Sequence, residues 1–153
     1  MPTSDEAPNE EQNMAIIRRW NDDGWNGRNL QVAWQVISPN MQVHGAGGQQ
    51  VSMGPEGLIE LITTWRTAFP DGHMTIDDLF AEGDTVVIRN TWRGTHQADF
   101  YGIPPSGKMI EISSIGIDRV VDGKVVEGWG ELNMLGAMQQ MGALPASFDK
   151  QSG

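Results

Sequence analysis

The sequence predicts an α+β fold: a cone-shaped, curved antiparallel sheet packed on N-terminal helices and enclosing a hydrophobic pocket. Two observations predict this fold. Apolar residues recur at helical spacing up to residue 69, and from residue 73 the pattern changes to the alternation of strands. Helices followed by a run of strands are typical of the α+β class, and 153 residues suffice for one domain with its own core. We place this domain at residues 9–145, between a disordered tail at 1–8 and a C-terminal tail at 146–153.

The N-terminal half is expected to form three helices and one short strand. Asn9 can cap a helix that runs to about Asn26, and Asn29 can cap a second, short helix with the sequence LQVAWQVI. The segment MQVH, at residues 41–44, has the pattern of a strand. A third helix starts at GPEG and ends at FPDG. Its apolar stripe consists of Leu58, Leu61, Ile62, Trp65 and Phe69.

The C-terminal half is expected to form the sheet and one closing helix. The predicted strands lie at residues 73–82, 85–97, 108–121 and 124–133. They are joined by EGD, by the long GIPPSG loop and by VVDG, and the segment MLGAMQQMG forms the final helix. A curved sheet of this kind leaves a pocket between its concave face and the helices.

The composition excludes several classes of partner. The formal net charge is −10, and the ten Lys and Arg residues are scattered along the chain. Binding to nucleic acid or to an anionic membrane requires a basic patch, so we expect neither partner. The sequence has no long apolar run, no apolar leader and no cysteine. We therefore expect a cytoplasmic protein without membrane spans or disulfides.

The sequence also lacks the common motifs for cofactors. No GxxxxGK[ST], GxGxxG or GxSxG string is present, and His44, His73 and His96 are isolated from one another. A metal site would require distant residues to converge, so we expect neither a cofactor nor a metal. The remaining chemistry is that of carboxylates, one or two histidines and aromatic walls.

Two segments carry a family resemblance. They are FPDGHMTIDDLFAEGDTVVIRNTWRGTHQADFYGIPPSGK, at residues 69–108, and DRVVDGKVVEGW, at residues 118–129. The combination of FPD, AEGD, GTH, GIPPSGK and DGK-x-VE-x-W resembles the SnoaL-like polyketide cyclases, or ester cyclases, of the nuclear-transport-factor-2-like (cystatin-like) superfamily. The resemblance extends from about residue 10 to residue 144. It implies a deep hydrophobic pocket, a homodimer formed through the outer sheet face, and acid/base cyclisation of a polyketide by an intramolecular aldol reaction without a cofactor.

Strand alternation predicts which residues face this pocket. On the strand at 85–97, the less polar face consists of Val86, Ile88, Asn90, Trp92, Gly94 and His96. On the next two strands, the inward residues are expected to be Ser114, Gly116, Asp118, Gly128, Gly130 and Leu132. Ile115 and Ile117 then point outward, which requires a partner subunit or a helix to cover them.

The resemblance also contains a departure. In the ring-closing relatives an acidic residue directly follows the tryptophan of the last strand, and that position is Gly130 in this chain. A second polar position, on the preceding strand, falls at Gly116. The aldol mechanism of the family therefore cannot be transferred unchanged.

Asp118 and His44 are the predicted catalytic residues. Asp118 is an inward carboxyl in an apolar sheet and is the first choice for a base, although it could instead accept structural hydrogen bonds. His44 ends the first short strand, where it could reach the rim of the cavity or serve as a structural histidine. Glu131 is the alternative acid if the strand parity is shifted by one residue.

The predicted pocket residues are Trp34, Trp65, Asn90, Trp92, His96, Phe100, Ser114, Gly128 and Gly130. Several of them have a structural alternative: the tryptophans could belong to the core, Asn90 could be an internally paired amide, and His96 could hold the GIPPSG loop. Phe100 and Tyr101 are candidates for a lid.

We therefore expect an enzyme without a cofactor that cyclises or isomerises a hydrophobic, polyketide-like ketone. The alternatives are a non-catalytic binding protein for a hydrophobic small molecule, and a hydrolase or hydroxylase on the same fold.

Overall fold

A computed structural model describes residues 9–45 and 50–145 of the chain. The tails expected at 1–8 and 146–153 lie outside the described residues. The α-helices are α1 (Glu10–Arg19), α2 (Ala33–Val36), α3 (Pro55–Ala68) and α4 (Met134–Gln140). The strands are β1 (Ile37–His44), β2 (Gln50–Ser52), β3 (His73–Glu82), β4 (Thr85–Thr95), β5 (Met109–Val121) and β6 (Lys124–Leu132).

The six strands form one curved, open sheet in the order β2-β1-β6-β5-β4-β3. The four long C-terminal strands confirm the predicted segments to within two residues. The sheet is not wholly antiparallel as predicted, because β1 pairs with β6 in parallel. Parallel pairing requires a long crossover, which the segment between β1 and β6 provides. The sequence pattern also missed β2, since three residues are too few to show alternation.

The predicted first helix continues past α1 in a different form. The side chain of Asn9 accepts a hydrogen bond from the backbone N of Gln12 at 3.0 Å, which confirms the cap. From Trp20 to Trp25, however, the chain is a π-helix. A Cβ on Gly24 would lie 2.5 Å from the ring of Trp20, so the glycine allows that ring to pack against its own helix. Such π-helical turns are frequent at functional sites.

The segment after the π-helix forms a short helix and a strand, as predicted, but with different boundaries. A 3₁₀ turn at Leu30–Val32 leads into α2, which is a single turn. Strand β1 begins at Ile37 rather than at residue 41, and its register with β6 shifts between Ile37 and Gln42. Because of this irregularity, the Ser38–Asn40 segment lies within the strand instead of ending the helix.

Asn26 joins the π-helix to the exposed edge of the sheet. Its Nδ2 donates to the carbonyl of Met74 at 3.0 Å, and the backbone N of Met74 donates to its Oδ1 at 2.7 Å. Met74 lies on β3, the edge strand, so the amide replaces a neighbouring strand at that point. This contact fixes the π-helix over the concave face.

Two apolar clusters fill the space between the helices and the sheet. One combines α1, α3, β1 and the β4–β6 strands around Ile17, Ile62 and Val86. The other is aromatic and consists of Trp65, Phe69, Trp92 and Phe100 with their apolar neighbours. Rings in the second cluster meet edge to face, as the Trp65–Trp92 pair does at 5.6 Å and 90°.

The convex face of the sheet carries an exposed apolar row. Phe80, Val87, Ile117 and Trp129 are successive cross-strand neighbours on β3 to β6. Phe80, Ile117 and Trp129 are each exposed. The predicted parity is thus confirmed, with Ile115 and Ile117 outward and uncovered in the isolated chain. None of the helices among the described residues has the length and apolarity needed to span a membrane.

Candidate active site

A cavity of about 270 Å³ lies between the concave face of the sheet and the helices. The helical wall consists of Ile17, Trp20, Trp25, Leu58, Leu61 and Trp65. The opposite wall is the inner face of β4, β5 and β6, together with Met41 and Val43 of β1. Among the described residues that line the cavity, none is a lysine or an arginine. The cavity therefore has an apolar lining with a few polar side chains, which is typical of a small-molecule site.

The floor of the cavity is made of glycine. Gly116 on β5 pairs with Gly130 on β6, and Gly128 pairs with Asp118 in the next inward position. A Cβ on Gly130 would meet no atom within 4 Å, so this position opens directly into space. None of these three glycines has a φ in the left-handed region. Space, and not backbone conformation, therefore explains why glycine occupies these positions.

Gly128 makes room for the carboxyl of Asp118. A Cβ on Gly128 would lie 2.6 Å from Oδ1 of Asp118 and 3.0 Å from Cε of Met41. Within residues 9–45 and 50–145, no group donates a hydrogen bond to Asp118 and no cation pairs with it. Burial raises the pKa of this carboxyl to about 7. Asp118 can therefore exchange a proton near neutral pH.

Asn90 and Ser114 form a second polar group on the same wall. Ser114 Oγ donates to Asn90 Oδ1 in a short hydrogen bond between neighbouring strands. Along β5, Ser114 and Asp118 are four residues apart, which corresponds to about 13 Å in a strand. The two groups do not touch. They mark opposite ends of the glycine floor.

The geometry does not support His44 as a base in the cavity. His44 borders the cavity, but its Nε2 donates to Oε2 of Glu127 at 2.9 Å. Its ring stacks on Trp129, with centroids 4.8 Å apart and planes 5° apart. Both partners lie on the convex face with Arg119, opposite to Asp118. The His44 hydrogen bond is the main cause that holds the pKa of Glu127 below its usual value, and the Arg119 charge adds to it.

Four predicted pocket residues lie elsewhere. Trp34 is 53% exposed, because the single turn of α2 buries its other face. Trp92 and Phe100 point inward but are enclosed by the aromatic cluster. His96 is also fully buried, and its Nδ1 accepts a hydrogen bond from the backbone N of Ser106 at 3.1 Å. His96 therefore holds the GIPPSG loop, which is the structural alternative given above.

The other five predicted pocket residues line the cavity, as does the predicted catalytic residue Asp118: Trp65, Asn90, Ser114, Gly128 and Gly130. Glu131 lies on the exposed face, as the predicted parity requires. The sequence analysis did not predict Trp20, Asn21 and Trp25 as lining residues, and it named Tyr101 as a candidate for a lid. The helical spacing of Ile17 and Trp20 was the available signal, but it could not reveal the π-helix that turns Trp25 inward.

The described residues contain no group of three His, Asp or Glu side chains placed to hold a metal ion. The absence of a metal or cofactor stays a prediction. In the cavity itself, Asp118 is the carboxyl that could act on a substrate.

Comparison with known proteins identifies similar sequences and structures. The family described as SnoaL-like polyketide cyclase matches residues 15–141. A proposed SnoaL-like polyketide cyclase from Jannaschia sp. CCS1 is 27% identical with a TM-score of 0.80, over 94% of this chain and 100% of that chain. AclR, a proposed hydroxylase from Streptomyces galilaeus, is 29% identical with a TM-score of 0.79, over 90% and 100%. IdmH, a proposed polyketide cyclase from Streptomyces antibioticus, is 28% identical with a TM-score of 0.75, over 86% and 99%. None of the curated protein sequences matches significantly.

The two floor glycines are expected to respond differently to alanine. Gly128→Ala places a methyl group against Asp118 and Met41. It should lower the free energy of unfolding by about 1–2 kcal/mol, as overpacking does. Gly130→Ala places its methyl group in open space and should be neutral or slightly stabilising, because alanine restricts the unfolded chain. Urea unfolding followed by tryptophan fluorescence measures both.

The double variant Asp118→Ala/Gly128→Ala is the matched control. Without the carboxyl, the second methyl group has room, so Gly128→Ala should cost less in the Asp118→Ala background than in the wild type. Equal costs in the two backgrounds would contradict the contact between Gly128 and Asp118.

Proposed function

Because the chain belongs to the SnoaL-like polyketide cyclase family, with its nuclear-transport-factor-2-like fold, we propose that it catalyses acid/base cyclisation or isomerisation of a neutral, hydrophobic ketone. The observation that supports this function most directly is the half-buried carboxyl of Asp118, which lines an apolar cavity beside Gly128. Asp118 is the catalytic residue in this proposal, and it needs no cofactor to act as a base.

The proposed first step is proton transfer from carbon to Asp118. The carboxylate removes a proton from the carbon next to the substrate carbonyl, an O–H bond forms on Asp118, and the electron pair of the C–H bond becomes an enolate. In cyclisation the enolate carbon attacks a second carbonyl of the same molecule, and the resulting alkoxide takes the proton back from Asp118. In isomerisation the proton returns to a different atom of the enolate. Both reactions are balanced without an oxidant or reductant.

The lining favours an uncharged substrate. No lysine or arginine among the described residues faces the cavity, and the ionised form of Asp118 would repel a carboxylate. Aromatic side chains from Trp20, Trp25 and Trp65 favour planar rings. A volume of about 270 Å³ lies just below the range for ligand pockets, about 300–1,000 Å³. A small, one- or two-ring ketone or a short folded chain fits this space.

Asp118 takes over a role that the family resemblance assigns to a different position. We infer that Gly130 stands where the ring-closing relatives carry their acid. Gly130 is paired with Gly116, and Asp118 is the next inward residue along β5, about 7 Å further in a strand. Relative to Gly130, the carboxyl of Asp118 therefore lies further along the same wall. The glycines have no side chains, so the substrate can occupy the space between the two positions.

The similarity to AclR favours hydroxylation as a second candidate function. In that case Asp118 would remove a proton from the substrate, the resulting carbanion would add dioxygen to give a hydroperoxide, and an external two-electron reductant would convert the hydroperoxide into the alcohol and water. The Asn90–Ser114 pair would orient a polar group of the substrate. A third possible function is ligand binding without catalysis. Deuterium exchange into a bound ketone distinguishes this function from acid/base catalysis.

Deuterium exchange into 2-tetralone tests the proposed base. This neutral two-ring ketone has acidic hydrogens next to its carbonyl, and their replacement in D₂O is measured by proton NMR. The wild-type chain should accelerate exchange, with a rate that rises as pH increases through about 7, because the pKa of Asp118 is raised to that value and the ionised form is the base. Asp118→Asn, which keeps the shape of the side chain, should lower the rate by about 100-fold or more.

Asp122→Asn is the matched control, because Asp122 is exposed in the β5–β6 turn and lies outside the cavity. It should retain the wild-type rate. Binding of 2-tetralone with no exchange above the Asp118→Asn level would contradict the acid/base function and favour a binding protein.

We also propose that the convex apolar row is the contact between two copies of the chain. A two-fold axis along β5 would place Val87 opposite Trp129 of the second copy, with Ile117 near the axis. In the adjoining row, Arg89 and Glu131 flank Ile115, so the same axis brings opposite charges together.

The cytoplasmic location expected from the cysteine-free sequence remains a prediction.

The molar mass of the protein, measured by light scattering as it elutes from a size-exclusion column, tests this homodimer. The wild-type chain should show twice the mass of one chain, and Ile117→Lys should show the mass of one chain, because it buries an unpaired charge in the contact. Thr63→Lys, on the exposed side of α3, is the control and should stay dimeric. A monomeric wild-type protein would contradict the proposal.

A further inference from the structure

Tyr101 occupies a backbone conformation that aromatic residues rarely adopt. Its φ is 49°, and the next residue, Gly102, has a φ of 84°. Phe100 and Ile103 exchange two backbone hydrogen bonds of 3.0 Å around them. These values define a two-residue type I′ turn, in which both central residues are left-handed. A bulky residue at the first of these positions is strained, and such strain concentrates at functional sites.

A second turn in the same chain shows what this position normally favours. Asp122 and Gly123 connect β5 to β6 with φ values of 51° and 77°, so the two turns have the same conformation. Asp–Gly is a preferred pair for a type I′ turn, and Asp122 is exposed. Tyr–Gly is not a preferred pair. The turn at 101–102 thus holds a residue that its own geometry disfavours.

The location of Tyr101 explains why an aromatic side chain is useful at this strained position. Tyr101 lines the cavity although it is 59% exposed, so it lies at the mouth. The loop that holds it leaves the end of β4, and the cavity then extends along β5 past Ser114 to Asp118. Tyr101 therefore borders the cavity from the β4–β5 loop, whereas Asp118 borders it further along β5.

The turn is anchored on both sides. Phe100 is fully buried, and its ring lies 5.1 Å from each of the rings of Trp65 and Phe69. The backbone N of Gly102 donates to Oδ2 of Asp99 at 3.0 Å. These contacts hold the backbone of the turn, and Tyr101 extends from it at the rim of the cavity.

We propose that Tyr101 is a substrate-binding residue at the mouth of the cavity: its ring packs on the outer ring of the bound molecule, and its hydroxyl donates a hydrogen bond to an oxygen there. This inference rests on the proposed function, and it adds a requirement for the substrate. The molecule should be neutral, should extend from Asp118 to the mouth, and should present a hydroxyl or carbonyl oxygen at its outer end. The phenolic O–H of a tyrosine is a hydrogen-bond donor, so it suits an acceptor oxygen on the ligand.

The test measures binding of 2-naphthol, a neutral two-ring probe with one oxygen, by fluorescence at pH 7. Tyr101→Phe keeps the ring and removes the hydroxyl, and should weaken binding about threefold. Tyr101→Asn removes the ring but suits a left-handed residue, so it should weaken binding about tenfold without lowering the melting temperature. Asp122→Asn makes a comparable change in the other turn and should leave both quantities unchanged.

Wild-type affinity in Tyr101→Asn would overturn the proposal, as would an equal loss in Asp122→Asn. A lower melting temperature in Tyr101→Asn together with unchanged binding by Tyr101→Phe would also overturn it, because the tyrosine would then only support the loop. The absence of 2-naphthol binding by the wild-type chain would remove the proposed contact altogether. The exchange of 2-tetralone is a separate readout: if it still depends on Asp118 while Tyr101 has no effect on binding, the proposed function stands and this inference fails.

Discussion

The rest of the site depends on the burial of the Asp118 carboxyl beside Gly128, a residue without a side chain. A carboxylate removed from water without a counter-ion or hydrogen-bond donor is costly, so it holds its proton to a higher pH than usual. The fold accommodates this group because Gly128 leaves the space that a Cβ would occupy, 2.6 Å from Oδ1 of Asp118. The same burial that opposes ionisation makes the ionised form a stronger base than an exposed aspartate. Stability and chemistry are therefore coupled at this position.

Glycine in a strand is unfavourable, and this sheet has three on one inner face, at positions 116, 128 and 130. The three positions differ: Gly128 accommodates the carboxyl, Gly116 packs close to Ile88, and Gly130 leaves open floor for a ligand. The aromatic cluster beyond the cavity offsets this loss with well-packed rings. A polar pair at Asn90 and Ser114 and a strained tyrosine at the mouth complete a cavity whose functional groups are spread along its length. Among these groups, Asp118 is the candidate base.

The sequence predicted the sheet well and the helical wall poorly, for physical reasons. Alternation is a local property, so it located the four long strands and placed Asp118 and the floor glycines inward. The face of His44 depends on the register of β1 against β6, which lie far apart in sequence, and no local pattern determines it. The π-helix depends on how the ring of Trp20 packs on Gly24, and this contact appears only in three dimensions. Trp92 points inward as predicted, but it packs within the aromatic cluster and does not line the cavity.

The central claim is that Asp118 is an enclosed carboxyl that titrates near neutral pH. The most direct measurement is the ¹³Cγ chemical shift of Asp118 as a function of pH, assigned by comparison with Asp118→Asn. We expect a midpoint near 7, the value to which burial raises this pKa. The usual pKa of an aspartate side chain is about 4. A midpoint for Asp118 near that usual value would contradict the account, because the carboxyl would then be solvated and unsuited to act as a neutral-pH base.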